Sequence, residues 1–342
     1  NLGQNIMDKK TNLTKSIPDL MEKWQRYKRG LKGIKITDWC ISSDYCFGDP
    51  DKLDVATFTI FPIDCMRIIN REIKENLPHD IKKVKQFSEK ELNYLKNSKY
   101  FFNISFVIEN LKYAFNEEKA LKEFSDTLKA YETMNIDKNN ESIKERHKQL
   151  VEICNYLKQK SHSTKKLSQM YFVAQIVSTI MKFLLIKEKG RNLRWCSDRG
   201  HIASFLDGIM FTLVPVYLHH YLKNRVADYY IHLPLEIKET DKEYPYDTFI
   251  RVPDIITGVM SSLVFTDIGL TVQKRKHCHV LSEILVDNPR IVTIACNYLE
   301  NGQPLWQRMY FESVDNCPVF KHDKTLLHKF QNEFAEKLKN YH

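Results

Sequence analysis

Strand-length apolar runs alternate with helix-length ones along this chain, and that alternation narrows the fold more than any other feature. Val55–Phe61 (VATFTIF), Phe101–Ile108 (FFNISFVI) and Asn192–Ser197 are rich in β-branched and aromatic residues and read as strands. After Pro62, the residues Ile63, Met66, Ile69 and Ile73 recur at helical spacing through about Asn76. Ser88–Ser98 opens with a capping box, Ser88 followed three residues later by Glu91. Thr164–Lys187 reads as a long, largely buried helix stopped by Gly190, and Ile202–Lys223 as another. Elements mixed in this order predict an α/β fold, a mixed sheet flanked by helices.

The rest of the chain fills in around that pattern. Residues 1–32 form an expected N-terminal lead-in with one short amphipathic helix, Pro18–Tyr27, behind a Ser16 cap. The core is expected over 33–265, opening with a strand Gly33–Asp38 and a long loop Trp39–Asp54. Two charged, Asn/Lys-rich helices, Glu117–Met134 and Glu141–Lys160, predict a helical insertion at about 110–165 whose charge runs are solvated faces. A strand over Ala227–Leu233 and a helix starting at Pro253 complete the core. Over 266–342 the expectation is a C-terminal extension. Asn301-Gly302 between Ile291–Leu299 and Leu305–Glu312 predicts a β-hairpin with a type I′ turn, and a helix follows over Asp323–Asn340.

A chain of 342 residues can bury a substantial core without covalent staples. Its eight cysteines form no C-x-x-C pair, so free thiols and no structural zinc are expected. The longest apolar stretches, Phe205–Tyr221 and Ile176–Ile186, are broken or short against the roughly 18–20 residues of a spanning helix. The opening NLGQNIMDKKTNLTKS lacks the apolar core of a signal peptide, so a cytoplasmic protein with no membrane partner is the expectation. A formal charge of +9 favours a polyanionic partner, nucleic acid above all. There is no glycine-rich phosphate loop, no G-x-S-x-G and no H-E-x-x-H.

Three aspartates sit where strands and helices meet. In Ile34-Lys-Ile-Thr-Asp38, alternation puts Asp38 on the same strand face as Ile34 and Ile36; if the strand stops earlier, Asp38 is a solvated loop acid. Asp198 closes the run RNLRWCSD at a strand's carboxyl end, where open α/β sheets place their sites, and it could equally cap a helix. Asp254 follows Pro253 near an expected helix start, with Gly258 and Ser261 on the same face; complementing the helix dipole is the competing explanation. Carboxylates from separate elements repel unless a cation joins them, and hard Mg2+ or Mn2+ is the cation such oxygens take. His201, three residues past Asp198, is a candidate acid/base or phosphate contact, although a surface histidine is the commoner case. Lys274-Arg-Lys-His-Cys-His279 is a compact basic cluster, with Lys274, Arg275 and Lys276 as its candidate nucleic-acid contacts, that could follow a phosphate backbone or be a solvated loop.

The order strand with Asp38, strand, long connection, strand with Asp198, helix, strand, and a helix carrying Pro-Asp254-Ile-Ile-Thr-Gly resembles a bacterial ribonuclease-H-like family, domain of unknown function 3800. The resemblance covers roughly 33–110 and 165–265. It implies a ribonuclease-H-like core, Asp38, Asp198 and Asp254 as metal ligands, and phosphate contacts from Lys83 or Lys85. The implied activity is divalent-metal-dependent cleavage of phosphodiester bonds in DNA or RNA, in a phage-defence or mobile-element setting. Where that family carries Asp-Glu-Ser-Gly, this chain has Asp38-Trp39-Cys40-Ile41, with Asp44 following as the acid that could substitute. The departure keeps a second expectation open: a non-catalytic binding or regulatory subunit of a larger complex.

Overall fold

The computed structural model describes residues 18–133, 141–159, 162–222, 229–233, 246–266, 269–272 and 274–311. The expected helix over Asp323–Asn340 and the Ser16 cap lie outside them. In chain order the main elements begin with α1 (Pro18–Gly30), β1 (Asp38–Cys46), β2 (Asp54–Pro62), α2 (Met66–Asn76), α3 (Glu89–Asn97) and β3 (Phe102–Glu109). Next come α4 (Glu117–Thr133), α5 (Glu141–Leu157), α6 (Thr164–Ile186), β4 (Asn192–Ser197) and α7 (Ile209–Leu222). The remainder are β5 (Tyr230–His232), α8 (Asp247–Ser261), β6 (Leu263–Thr266), β7 (Gly269–Val272), α9 (Arg275–Val280), β8 (Ile291–Tyr298) and β9 (Pro304–Met309).

Seven strands form one mixed sheet in the order β5-β4-β1-β2-β3-β8-β9. The β1–β4, β4–β5 and β3–β8 pairs are parallel, and the others are antiparallel. Helices cover both faces, as the α/β expectation requires. On one face Trp39, Ile41, Phe58, Ile60, Ile104 and Phe106 pack against α1, α6 and α7, with α4 and α5 behind. On the other, Cys40, Val55, Phe61 and Val107 meet α2, α3, α8 and α9. α6 is long and apolar enough by length and composition to cross a membrane, which the broken apolar runs did not foretell; 72% of its most apolar window is buried in the core. The seven described cysteines are all free.

Several expectations are corrected. The stretch read as a long loop after Asp38 is the strand β1, which begins at Asp38 instead of ending there. Its serines hid it: Ser42 and Ser43 are fully buried, and each is hydrogen-bonded to another element. The α8 helix starts at Asp247, so Pro253 lies inside it and Asp254 is not in its first turn. A proline there removes the N–H that would bond the carbonyl four residues back, Phe249. Ser42 Oγ donates to that carbonyl at 3.0 Å instead, so the helix continues at little cost. The helix expected from Ile202 begins at Ile209 because Leu206, Asp207 and Gly208 take positive φ and break it.

The hairpin and lead-in are also built into the core. β8 pairs with β3 from Asn103↔Ile291 to Glu109↔Asn297, so the hairpin continues the main sheet. Its turn is not type I′: only Gly302 has positive φ, and Leu299 bonds Gln303 across a three-residue loop. In α1, Leu20, Trp24 and Tyr27 are buried, with Trp24 packed edge-on against Phe102 and Phe183.

Candidate functional site

Strand register decides which acids meet. β1 and β4 run parallel with Ser42 beside Cys196 and Ser43 beside Ser197, and the Asp198 N–H donates to the Ser43 carbonyl at 2.9 Å. Asp44 and Asp198 therefore stand side by side at the carboxyl ends of neighbouring strands. Alternation turns Cys40, Ser42 and Asp44 toward α8. From α8, Asp254, Thr257, Gly258 and Ser261 line the same cleft, whose cavity volume is about 860 Å³. Thr257 Oγ1 donates to the Asp44 carbonyl at 3.4 Å, tying helix to strand beside the acids.

Two of the three carboxylates are raised by burial and by neighbouring acids. Asp44 is 8% exposed, and burial, followed by the charges of Asp254 and Asp198, pushes its carboxyl well above the usual range. Burial and then the Asp198 charge raise Asp254 to about 6, with Lys82 and Lys276 pulling the other way. Such mutual repulsion marks a site that lacks positive charge at its floor. Among the described residues, however, no three His, Cys, Asp or Glu side chains are close enough to hold a metal ion as they stand. The donor chemistry fits a hard divalent cation, and the side-chain arrangement does not yet form its shell.

Around this acidic floor the walls are basic. Lys82 and Lys83, on the turn Ile81–Lys83, face the cleft from one side, and Lys274 and Lys276 from another. Lys276 Nζ donates to the Ile81 carbonyl at 2.8 Å, joining the two walls. Arg199, just past Asp198, pairs with Asp247 at the start of α8 at 2.5 Å. His277 is 4% exposed, and its Nδ1 lies 2.6 Å from Ser262 Oγ. Burial and then Lys276, Lys274 and Lys52 depress it to about 4, so the ring is neutral at physiological pH.

The candidate residues read from the sequence divide accordingly. Asp198 and Asp254 enter the cleft, and so do Lys83, Lys274 and Lys276. Asp198 is no helix cap: its Oδ2 accepts from the Gly200 N–H at 3.2 Å within a turn. Asp38 is excluded. It stands at the opposite end of β1, about 20 Å from Asp44 at strand spacing, where its Oδ1 accepts from Asn192 Nδ2 at 2.9 Å. His201 and Lys85 are exposed and lie outside the cleft lining. Arg275 opens α9, and its side chain is outside the described residues. Sequence reasoning missed Lys82, Arg199, Arg251 and His277; for Asp44, the Cys40, Ser42, Asp44 alternation was the available signal.

Comparison with known proteins returns no match: no family model, no curated protein and no solved structure matches this chain.

Proposed function

We propose that this cleft hydrolyses phosphodiester bonds with a divalent cation, Mg2+ or Mn2+, held by Asp44, Asp198 and Asp254. One observation carries the reading: three acids from β1, the β4 terminus and α8 converge beside a lysine-rich rim, where the charges of Asp254 and Asp198 raise Asp44 and that of Asp198 raises Asp254. Asp44 takes the place first expected for Asp38. A mixed sheet with acids at the carboxyl ends of adjacent parallel strands supports a ribonuclease-H-like core. Bound divalent ions lower the pKa of an attacking water and offset charge on the leaving oxygen.

The chain's own residues supply the rest. Lys82, Lys274 and Lys276 neutralise backbone phosphates and align the strand across the acids. Thr257 and the Arg199–Asp247 pair fix α8 against β1 and β4, so the carboxylates stay in register. The test is cleavage of labelled DNA and RNA by the full chain with and without manganese. Cleavage that requires the metal and disappears in Asp198→Asn supports the reading; metal-independent cleavage, or full activity in the variant, sinks it.

A second reading is a subunit that binds nucleic acid without cutting it. The absence of a ready ligand shell among the described residues favours it. Calorimetry separates the two, since a non-catalytic site takes up no manganese at millimolar concentration.

A further inference from the structure

His277 lines the cleft beside the acids, and its tautomer follows from its neighbours. Ser262 Oγ lies 2.8 Å from the Val259 carbonyl, which can only accept, so the hydroxyl proton points there. The same oxygen must then accept from His277 Nδ1 at 2.6 Å. That places the ring proton on Nδ1 and leaves Nε2 with a lone pair. Among the described residues none bonds Nε2. It lies against Gly258, where an added Cβ would be 3.9 Å away.

We propose that this corner accepts a hydrogen bond from a ribose 2′-hydroxyl, so that the cleft takes RNA in preference to DNA. The inference rests on reading the cleft as a phosphodiester site. A neutral acceptor surrounded by Lys52, Lys274 and Lys276 repels a cationic donor. It fits a ligand with a neutral donor next to an anion. In RNA the 2′-hydroxyl adjoins the 3′-phosphate, so the lysines take the phosphate while Nε2 takes the hydroxyl. A deoxyribose strand offers the lysines the same charge and gives the nitrogen no hydrogen bond. The lysines and burial that hold the ring unprotonated also keep it an acceptor, since a protonated imidazole could only donate.

The test is binding of three fluorescent strands of one sequence (RNA, DNA and 2′-O-methyl RNA) to the full chain in EDTA, read by anisotropy. RNA is expected to bind about tenfold tighter than either of the others, the worth of one well-placed hydrogen bond. His277→Ala should reduce that preference to about twofold or less. Gly258→Ala should do the same with the histidine intact. Its methyl fits at ordinary contact distance from Ile81 Cδ1 (3.6 Å) and stands over Nε2, and alanine favours the helix. Equal affinity for the three strands, no RNA binding, or a preference that survives both substitutions overturns the proposal. Manganese-dependent cleavage is scored separately: an RNA preference without cleavage removes the nuclease reading and leaves this one standing.

Discussion

Residues alternate along β1 between two unlike surroundings. Trp39 and Ile41 turn toward α1, α6 and α7 into an aromatic, largely apolar layer, where Trp24, Trp39 and Phe102 pack at 5.2–5.5 Å between ring centroids. Cys40, Ser42 and Asp44 turn toward α8, and the sheet continues there with Thr57, Thr59, Asn103 and Ser105, all fully buried. Thr59 donates to Asn103 at 2.8 Å, Asn103 to Ser105 at 2.9 Å, and Ser105 meets Thr57 at 3.2 Å. One face thus holds the fold together by burial of apolar area. The other gives up that burial for a hydrogen-bonded polar floor leading to Asp44. The contrast separates the source of stability from the proposed site within a single strand.

Substitutions can break or sharpen that contrast. The largest effect is expected for Asp44→Asn, which should abolish metal-dependent cleavage while leaving the melting temperature equal or higher, since a crowded buried charge is removed. Cleavage retained in that variant would return this face to a purely structural role. Phe58→Ala, on the apolar face, should cost about 3–5 kcal/mol in urea unfolding, with activity lost only in proportion to the unfolded fraction. A loss below about 1 kcal/mol would mean that the apolar layer is not the main support.

The pH response is next in size. Asp254 is raised to about 6 in the folded protein. A carboxyl raised on folding stabilises below its unfolded value, near 3.8, and that contribution disappears as pH rises through the folded value. In EDTA, wild type should therefore lose up to about 3 kcal/mol relative to Asp254→Asn between roughly pH 4 and 7. Parallel profiles for the two proteins would contradict the repulsion. The smallest effect belongs to Asp38→Asn, at the far end of the strand: about 1 kcal/mol or less in stability, with cleavage unchanged.

What could be read from the sequence was what local chemistry decides. The Ser88–Glu91 capping box is present with both of its bonds, and β4 spans the residues its alternation indicates. What escaped was settled by distant partners. Apart from the Cys40, Ser42, Asp44 alternation, little local marks Ser42, Ser43 and Asp44 as strand, because their polarity is met by Phe249, Trp195 and Thr257. Pro253 reads as a first-turn residue until Ser42 is seen to take the carbonyl it leaves free. Displacing that helix start and that strand shifted the expected acid from Asp44 to Asp38. His277 matched no motif; its tautomer depends on Ser262, fifteen residues earlier.

The Ser42–Phe249 bond has a consequence for how this chain can change over time. It acts as an index pin: the proline creates one vacant acceptor on α8, and the serine is cut to reach it from β1. The helix cannot turn or slip along the sheet without pulling the pin, so the angular setting of Asp254 over Asp44 is fixed by a bond two residues before Asp44 on β1 and five residues before Asp254 on α8. Losing the serine alone strands a carbonyl, and losing the proline alone leaves the serine competing with the restored N–H. The two positions are bound to drift together, and a lineage that alters one should be found to have altered the other.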